Sequence, residues 1–125
     1  MRILIVEDEK KVASFIKKGL QQEGYAADIV QDGVEAVQNA LTFDYDLIVL
    51  DLMLPKMSGV EVLKKMRVQP QLAKIPVIVF TNAHLQAMIN SATEAGATKV
   101  LNKAETTPHK VIEAFKDAGC FAKDV

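Results

Sequence analysis

The 125 residues are 50% hydrophobic and 25% charged, the balance of one soluble globular domain with a core of ordinary size. Fifteen basic against 16 acidic side chains leave a net charge of -1, which excludes the basic surplus that drives nonspecific nucleic-acid binding. The single Cys120 excludes an intrachain disulfide. No run approaches the roughly 20 apolar residues of a membrane helix, and the four after Met1-Arg2 fall short of a secretory h-region, so a single domain over 1–125 in the cytoplasm, without membrane insertion, is expected.

Along the chain, Ile3 to Val6 reads as a strand buried on both faces and ends at Glu7-Asp8-Glu9. Val12, Phe15, Ile16 and Leu20 recur at the spacing of one helix face, with Gly24 as the stop. Ala26 to Val30 forms a second strand, after which Asp32 and Glu35 have the capping-box spacing that opens a helix. A third run, Leu47 to Leu50, delivers Asp51 to its end and is followed by the turn-like stretch from Met53 to Gly59. Ser58 with Glu61 then opens a third helix. Pro70 and Pro76 bracket a short connection to the run Val77 to Phe80, directly followed by Thr81. Met88, Ile89 and Ala92 mark a fourth helix that Gly96 ends. Lys99 to Leu101 is the last strand and leads through Asn102 to Lys103, and Thr107-Pro108 is a start signal for a fifth helix.

Five apolar runs alternating with five helical stretches predict a parallel sheet covered on both faces, two helices on one side and three on the other. The first, third and fourth runs are nearly continuous in branched residues and belong at its centre. In such a sheet ligands bind beyond the carboxyl ends of the strands. There the chain places Glu7, Asp8, Asp51, Thr81 and Lys103. Three carboxylates at one edge repel unless a cation sits among them. A divalent magnesium ion, content with one or two carboxylates, a backbone carbonyl and waters, together with one lysine would balance the charge. Phosphoryl transfer needs little else, since its catalysis is mainly positioning and charge neutralisation.

The segments Val6-Glu7-Asp8-Glu9, Asp51-Leu52-Met53-Leu54-Pro55 with Met57-Ser58-Gly59, Phe80-Thr81-Asn82-Ala83 and Lys103, in that order and at strand ends, resemble the receiver domains of bacterial two-component response regulators over essentially the whole chain. The resemblance implies the flavodoxin-like doubly wound α/β/α fold, five parallel strands in order 2-1-3-4-5. It implies Asp51 as phosphoryl acceptor, Asp8 as a direct magnesium ligand, Glu7 as a direct or water-mediated one, and Met53 as donor of a backbone carbonyl to the metal. Thr81 would contact the phosphoryl group through its hydroxyl and Lys103 through its ammonium. The phosphodonor in such systems is a phosphohistidine on a sensor histidine kinase or a histidine phosphotransfer protein, and the receiver catalyses only its own transfer, then changes its affinity for a downstream protein target. The first half, through about Lys65, looks most like receivers of winged-helix transcription regulators; the part from Asn82 onward does not.

Two positions depart from the family pattern. Val100 stands three before Lys103, where an aromatic is common, so the output switch is expected to differ or be muted. Ala104 replaces the common proline, which predicts a trans Lys103–Ala104 peptide, because cis before other residues costs about 2.5–4 kcal/mol. These departures support a rival reading as a binding module that no longer uses phosphorylation. A haloacid-dehalogenase-type phosphatase needs a second acid two residues after the first, where Met53 stands. A flavodoxin-type cofactor site would place a phosphate against Glu7-Asp8-Glu9. His84 and His109 read as surface residues. If Val125 ends the protein, the output is docking on another protein; if the chain is a piece, a DNA-binding domain lies elsewhere. No nucleic-acid binding is expected of this domain itself.

Overall fold

One parallel sheet is built from β1 (Arg2–Val6), β2 (Ala26–Val30), β3 (Leu47–Leu50), β4 (Val77–Thr81) and β5 (Lys99–Asn102), with branched residues buried on both faces in β1, β3 and β4 and partly exposed edge strands in β2 and β5. A computed structural model describes residues 2–82, 86–103, 107, 110, 111, 113 and 114. The strand order is β2-β1-β3-β4-β5, as expected. β1 pairs with β3 in the register Ile3↔Leu47 to Val6↔Leu50, so Glu7 and Asp51 leave the sheet side by side. All of β3 and β4 is buried, which is why their sequences show no alternation.

Four helices connect the strands: α1 (Lys10–Gln22), α2 (Gly33–Thr42), α3 (Gly59–Arg67) and α4 (Gln86–Glu94). One face of the sheet packs against Ala36 and Ala40 of α2, Val62, Leu63 and Met66 of α3, and Ala92 of α4. The other packs against Ala13, Ile16 and Leu20 of α1, and against Val111. Lys110, Val111, Glu113 and Ala114 are helical, and the amides of Lys110 and Val111 donate to the Thr107 carbonyl. The three-and-two division of helical segments therefore follows the expectation. His84, His109, Cys120 and the Lys103–Ala104 peptide lie outside the described residues.

Both predicted caps form. The Asp32 carboxylate accepts from the Glu35 amide at 2.9 Å and the Ser58 hydroxyl from the Glu61 amide at 3.3 Å, each satisfying a donor that the first helical turn leaves open. Phe15 does not join the core face that its spacing suggested: it is 63% exposed. The stripe facing the sheet is Ala13, Ile16 and Leu20, and Phe15 lies about 100° around the helix from Ile16 on the solvent side. A small residue, Ala13, rather than the aromatic takes the inward position.

At the edge opposite the acids, Arg67 closes three segments with one side chain. Its Nη1 donates to the carbonyls of Leu72, Ala73 and Ile75 at 3.0, 3.2 and 2.7 Å. Its Nε and Nη2 donate to the Gly96 carbonyl at 3.2 and 2.7 Å. Gly96 has φ +108, which ends α4, and a Cβ there would meet Arg67 Nε at 2.8 Å. Among the described residues no carboxylate pairs with this guanidinium, and burial pushes its pKa down. Arg67→Met should therefore cost about 2–4 kcal/mol in urea unfolding, because partly buried carbonyls lose their donors. Arg67→Lys should recover less than half of that. A loss below about 0.5 kcal/mol, the range of ordinary surface changes, would contradict the clamp.

Candidate functional site

The β1 and β3 ends are fixed before any side chain acts: the Glu7 amide donates to the Val30 carbonyl and the Asp51 amide to the Val6 carbonyl, both at 3.0 Å. The amide of Lys103 donates to the Thr81 carbonyl at 3.0 Å, which brings the end of β5 to the end of β4. Glu7, Asp8, Asp51, Thr81 and Lys103 thus converge, as the sequence predicted. Asp8 is exposed, while Glu7, Asp51 and Thr81 are buried.

Asp51 uses both oxygens. Oδ1 accepts from the Thr81 hydroxyl at 2.8 Å and from the Met53 amide at 3.1 Å; Oδ2 accepts from Lys103 Nζ at 3.1 Å. Lys103 also donates to Glu7 Oε1 at 2.7 Å, so one buried ammonium bridges two buried carboxylates. Glu7 Oε1 accepts in addition from the Glu9 amide at 3.4 Å. Burial drives the Glu7 carboxyl up to about pKa 7; the Lys103 hydrogen bond opposes this and the Asp51 charge reinforces it. Burial would lower the Lys103 ammonium, but its hydrogen bond to Glu7 and the charge of Asp51 outweigh that and raise it.

Glu7, Asp8 and Asp51 each bring a carboxylate oxygen within 4.8 Å of the others. Hard anionic oxygens gathered this way suit a hard divalent cation such as magnesium, which is satisfied by a few protein oxygens and water. Met53, whose carbonyl the family resemblance implies as a metal donor, stands beside the site, 57% exposed, with its amide donating to Asp51.

The loop that holds Asp51 in place contains contacts that periodicity does not reveal. The Gly59 amide donates to the Leu52 carbonyl at 3.0 Å, and a Cβ on Gly59 would lie 2.5 Å from the Asp51 carbonyl oxygen. Lys56 has φ 67, an uncommon left-handed conformation for a residue with a Cβ, and its ammonium lies 3.5 Å from Asp32 Oδ2 at the start of α2. The sequence marked Pro55 and Gly59 as turn residues, but nothing in it tied Lys56 to Asp32.

Comparison with known proteins is consistent with this geometry. The family model described as response regulator receiver domain matches residues 3–116. The transcriptional activator protein IrlR of Burkholderia pseudomallei is 52% identical over 67 residues, 54% of this chain and 29% of the relative. The response regulator ArlR of Staphylococcus saprophyticus is 45% identical over 80 residues, 64% of this chain and 35% of the relative. The chain thus spans about a third of the length of these curated relatives. Among solved structures, the receiver domain of a sensor histidine kinase from Pseudomonas aeruginosa, with magnesium coordinated in its active-site cleft, superposes with a TM-score of 0.85 at 28% identity, covering 93% of this chain and 94% of that one. The chemotaxis response regulator CheY4 of Vibrio cholerae gives a TM-score of 0.86 at 26% identity, covering 94% and 97%.

The raised Glu7 pKa fixes the sign of a pH effect. Between the ordinary carboxyl value of 4.5 and about 7 the folded chain holds a proton that the unfolded chain has lost. Stability from this group is therefore complete below the unfolded value and is lost as pH rises through about 7, by at most about 3 kcal/mol. The raised Lys103 value acts at higher pH and leaves this window alone. In EDTA, Tm should fall across the window, and Glu7→Gln should flatten the slope. An equal slope in the variant would assign it to another group.

Proposed function

Because this chain belongs to the response regulator receiver domain family, we propose that it is a phosphorylation-operated switch of a two-component system in which Asp51 accepts a phosphoryl group from a phosphohistidine on a sensor histidine kinase or a histidine phosphotransfer protein. One observation carries the reading: a single buried aspartate is contacted by a hydroxyl, an ammonium and an amide at once, beside two further carboxylates. In the transfer an Asp51 carboxylate oxygen forms a bond to phosphorus as the phosphorus–imidazole nitrogen bond breaks, and the leaving imidazole keeps the electron pair.

Asp8 and Asp51, with Glu7 directly or through water and the Met53 carbonyl, would hold magnesium. When bound, the ion supplies neutralisation of the charge on the phosphoryl oxygens. The other roles belong to the chain. Lys103, held at the acceptor by Glu7, turns its ammonium from the carboxylate to the incoming phosphoryl oxygens. The Thr81 hydroxyl, which donates to Asp51 in the unmodified site, donates to a phosphoryl oxygen after transfer. That exchange of acceptor links the occupancy of the site to the end of β4.

The state of the site is then read by a protein partner. Its named relatives include transcriptional regulators, and the chain spans about a third of their length, so output through a DNA-binding part of a longer protein is the second reading. The two readings share the same chemistry and differ only in whether the domain that responds is covalently attached. Membrane passage is not required by either: no helix among the described residues is long and apolar enough to cross a bilayer.

Acetyl phosphate with magnesium should add one acid-labile phosphoryl group, visible by mass spectrometry, and none in EDTA. Asp51→Asn should abolish it, and Lys103→Ala should slow it by about 10²-fold or more. Label that persists in Asp51→Asn would remove Asp51 as the acceptor. Since the chain has no Trp, magnesium binding is best followed by calorimetry or NMR. Asp8→Ala should weaken that binding about tenfold or more, and unchanged affinity would remove Asp8 from the metal site.

A further inference from the structure

Beside the acceptor lies a cavity that phosphoryl chemistry leaves unused. It has a volume of about 140 Å³ and is lined by Thr81, Ile89, Val100, Leu101 and Asn102. It exists because α4 is loosely seated: Ala92 is the buried residue of this helix, whereas Met88 and Ile89 toward its start are only half-buried. The far end of α4 is fixed, since Arg67 holds the Gly96 carbonyl there. Among the described residues, the helix is thus pinned at its far end and less deeply buried toward its start. Across from Ile89, β5 presents Val100, a short side chain that leaves the space open.

We propose that this cavity is a binding site for one small neutral aromatic molecule of about the size of benzene or phenol. Cavities of about 150 Å³ with aliphatic walls accept a single molecule of that size. Among the described residues that line it none is titratable, which favours a neutral ligand over a charged one. Thr81 and Asn102 form a polar edge beside the aliphatic wall of Ile89, Val100 and Leu101. A ring seated there touches the residue whose hydroxyl is bonded to Asp51. Binding to the unmodified protein does not depend on whether Asp51 is phosphorylated.

The test is a titration of the isotope-labelled chain with phenol in EDTA, followed by two-dimensional amide NMR. Saturable shifts should centre on Thr81, Ile89, Val100, Leu101 and Asn102, with roughly millimolar affinity because so small a molecule buries little area. Val100→Phe, which fills the cavity from within, should weaken phenol at least tenfold while the remaining amide pattern stays folded. Val100→Ala, which enlarges it, should raise the affinity for indole relative to phenol and provides the answer if the Phe variant does not fold. Shifts that do not saturate or that scatter over the surface overturn the proposal. So does an indole-to-phenol ratio unchanged by the Ala variant.

Discussion

Two carboxylates buried side by side at the edge of a sheet are tolerable only if something positive is buried with them, and Lys103 is that counter-charge. Its ammonium lies 2.7 Å from Glu7 and 3.1 Å from Asp51, at the far end of a strand whose backbone is tied to Thr81. The ladder from β1 to β5 therefore sets the electrostatics of the site: a shift of one strand would separate the lysine from its acids and leave a charge unpaired in the interior. Removing one partner of such a pair costs far more than the pair itself contributes. The site and the sheet are consequently one cooperative unit.

The same contact gives Glu7 a double character. It is close enough to Asp8 and Asp51 to share a cation with them, yet in the unmodified protein it is chiefly the partner of the lysine. Occupation of the site as proposed, by a metal ion or a phosphoryl group, would rearrange existing ion pairs, with Lys103 exchanging one acceptor for another. Thr81 stands in the same relation to Asp51 through its hydroxyl. Both side chains are already within hydrogen-bond distance of the Asp51 carboxylate, the preorganisation that electrostatic catalysis at the proposed acceptor would require.

Much of this was legible in the sequence because it is written in local signals. Continuous branched runs located β1, β3 and β4, the Asp32 and Ser58 caps located two helix starts, and the residue after each run located the site. What was not legible depends on contacts between distant segments. The spacing that placed Phe15 among core residues is shared by neighbouring faces of a helix, and which face meets the sheet, the one carrying Ala13, is settled by tertiary packing. The Lys56 pairing with Asp32 and the reach of Arg67 to Gly96 join segments with no common periodicity. Likewise the cavity under α4 reflects how a helix is seated, which the pattern Met88, Ile89, Ala92 does not specify.

The Arg67 clamp bears on how freely this chain can change. All its bonds go to main-chain oxygens, of Leu72, Ala73, Ile75 and Gly96, and every residue type carries such an oxygen. The connection between α3 and β4 can therefore exchange many of its exposed side chains without loosening its anchor, whereas Gly96 is confined by its backbone angle and by the guanidinium against it. The molecule thus has one rim where identity is dictated by chemistry and an opposite rim where shape is dictated by a single arginine. New recognition surfaces can accumulate on the second rim while the first goes on doing the same work.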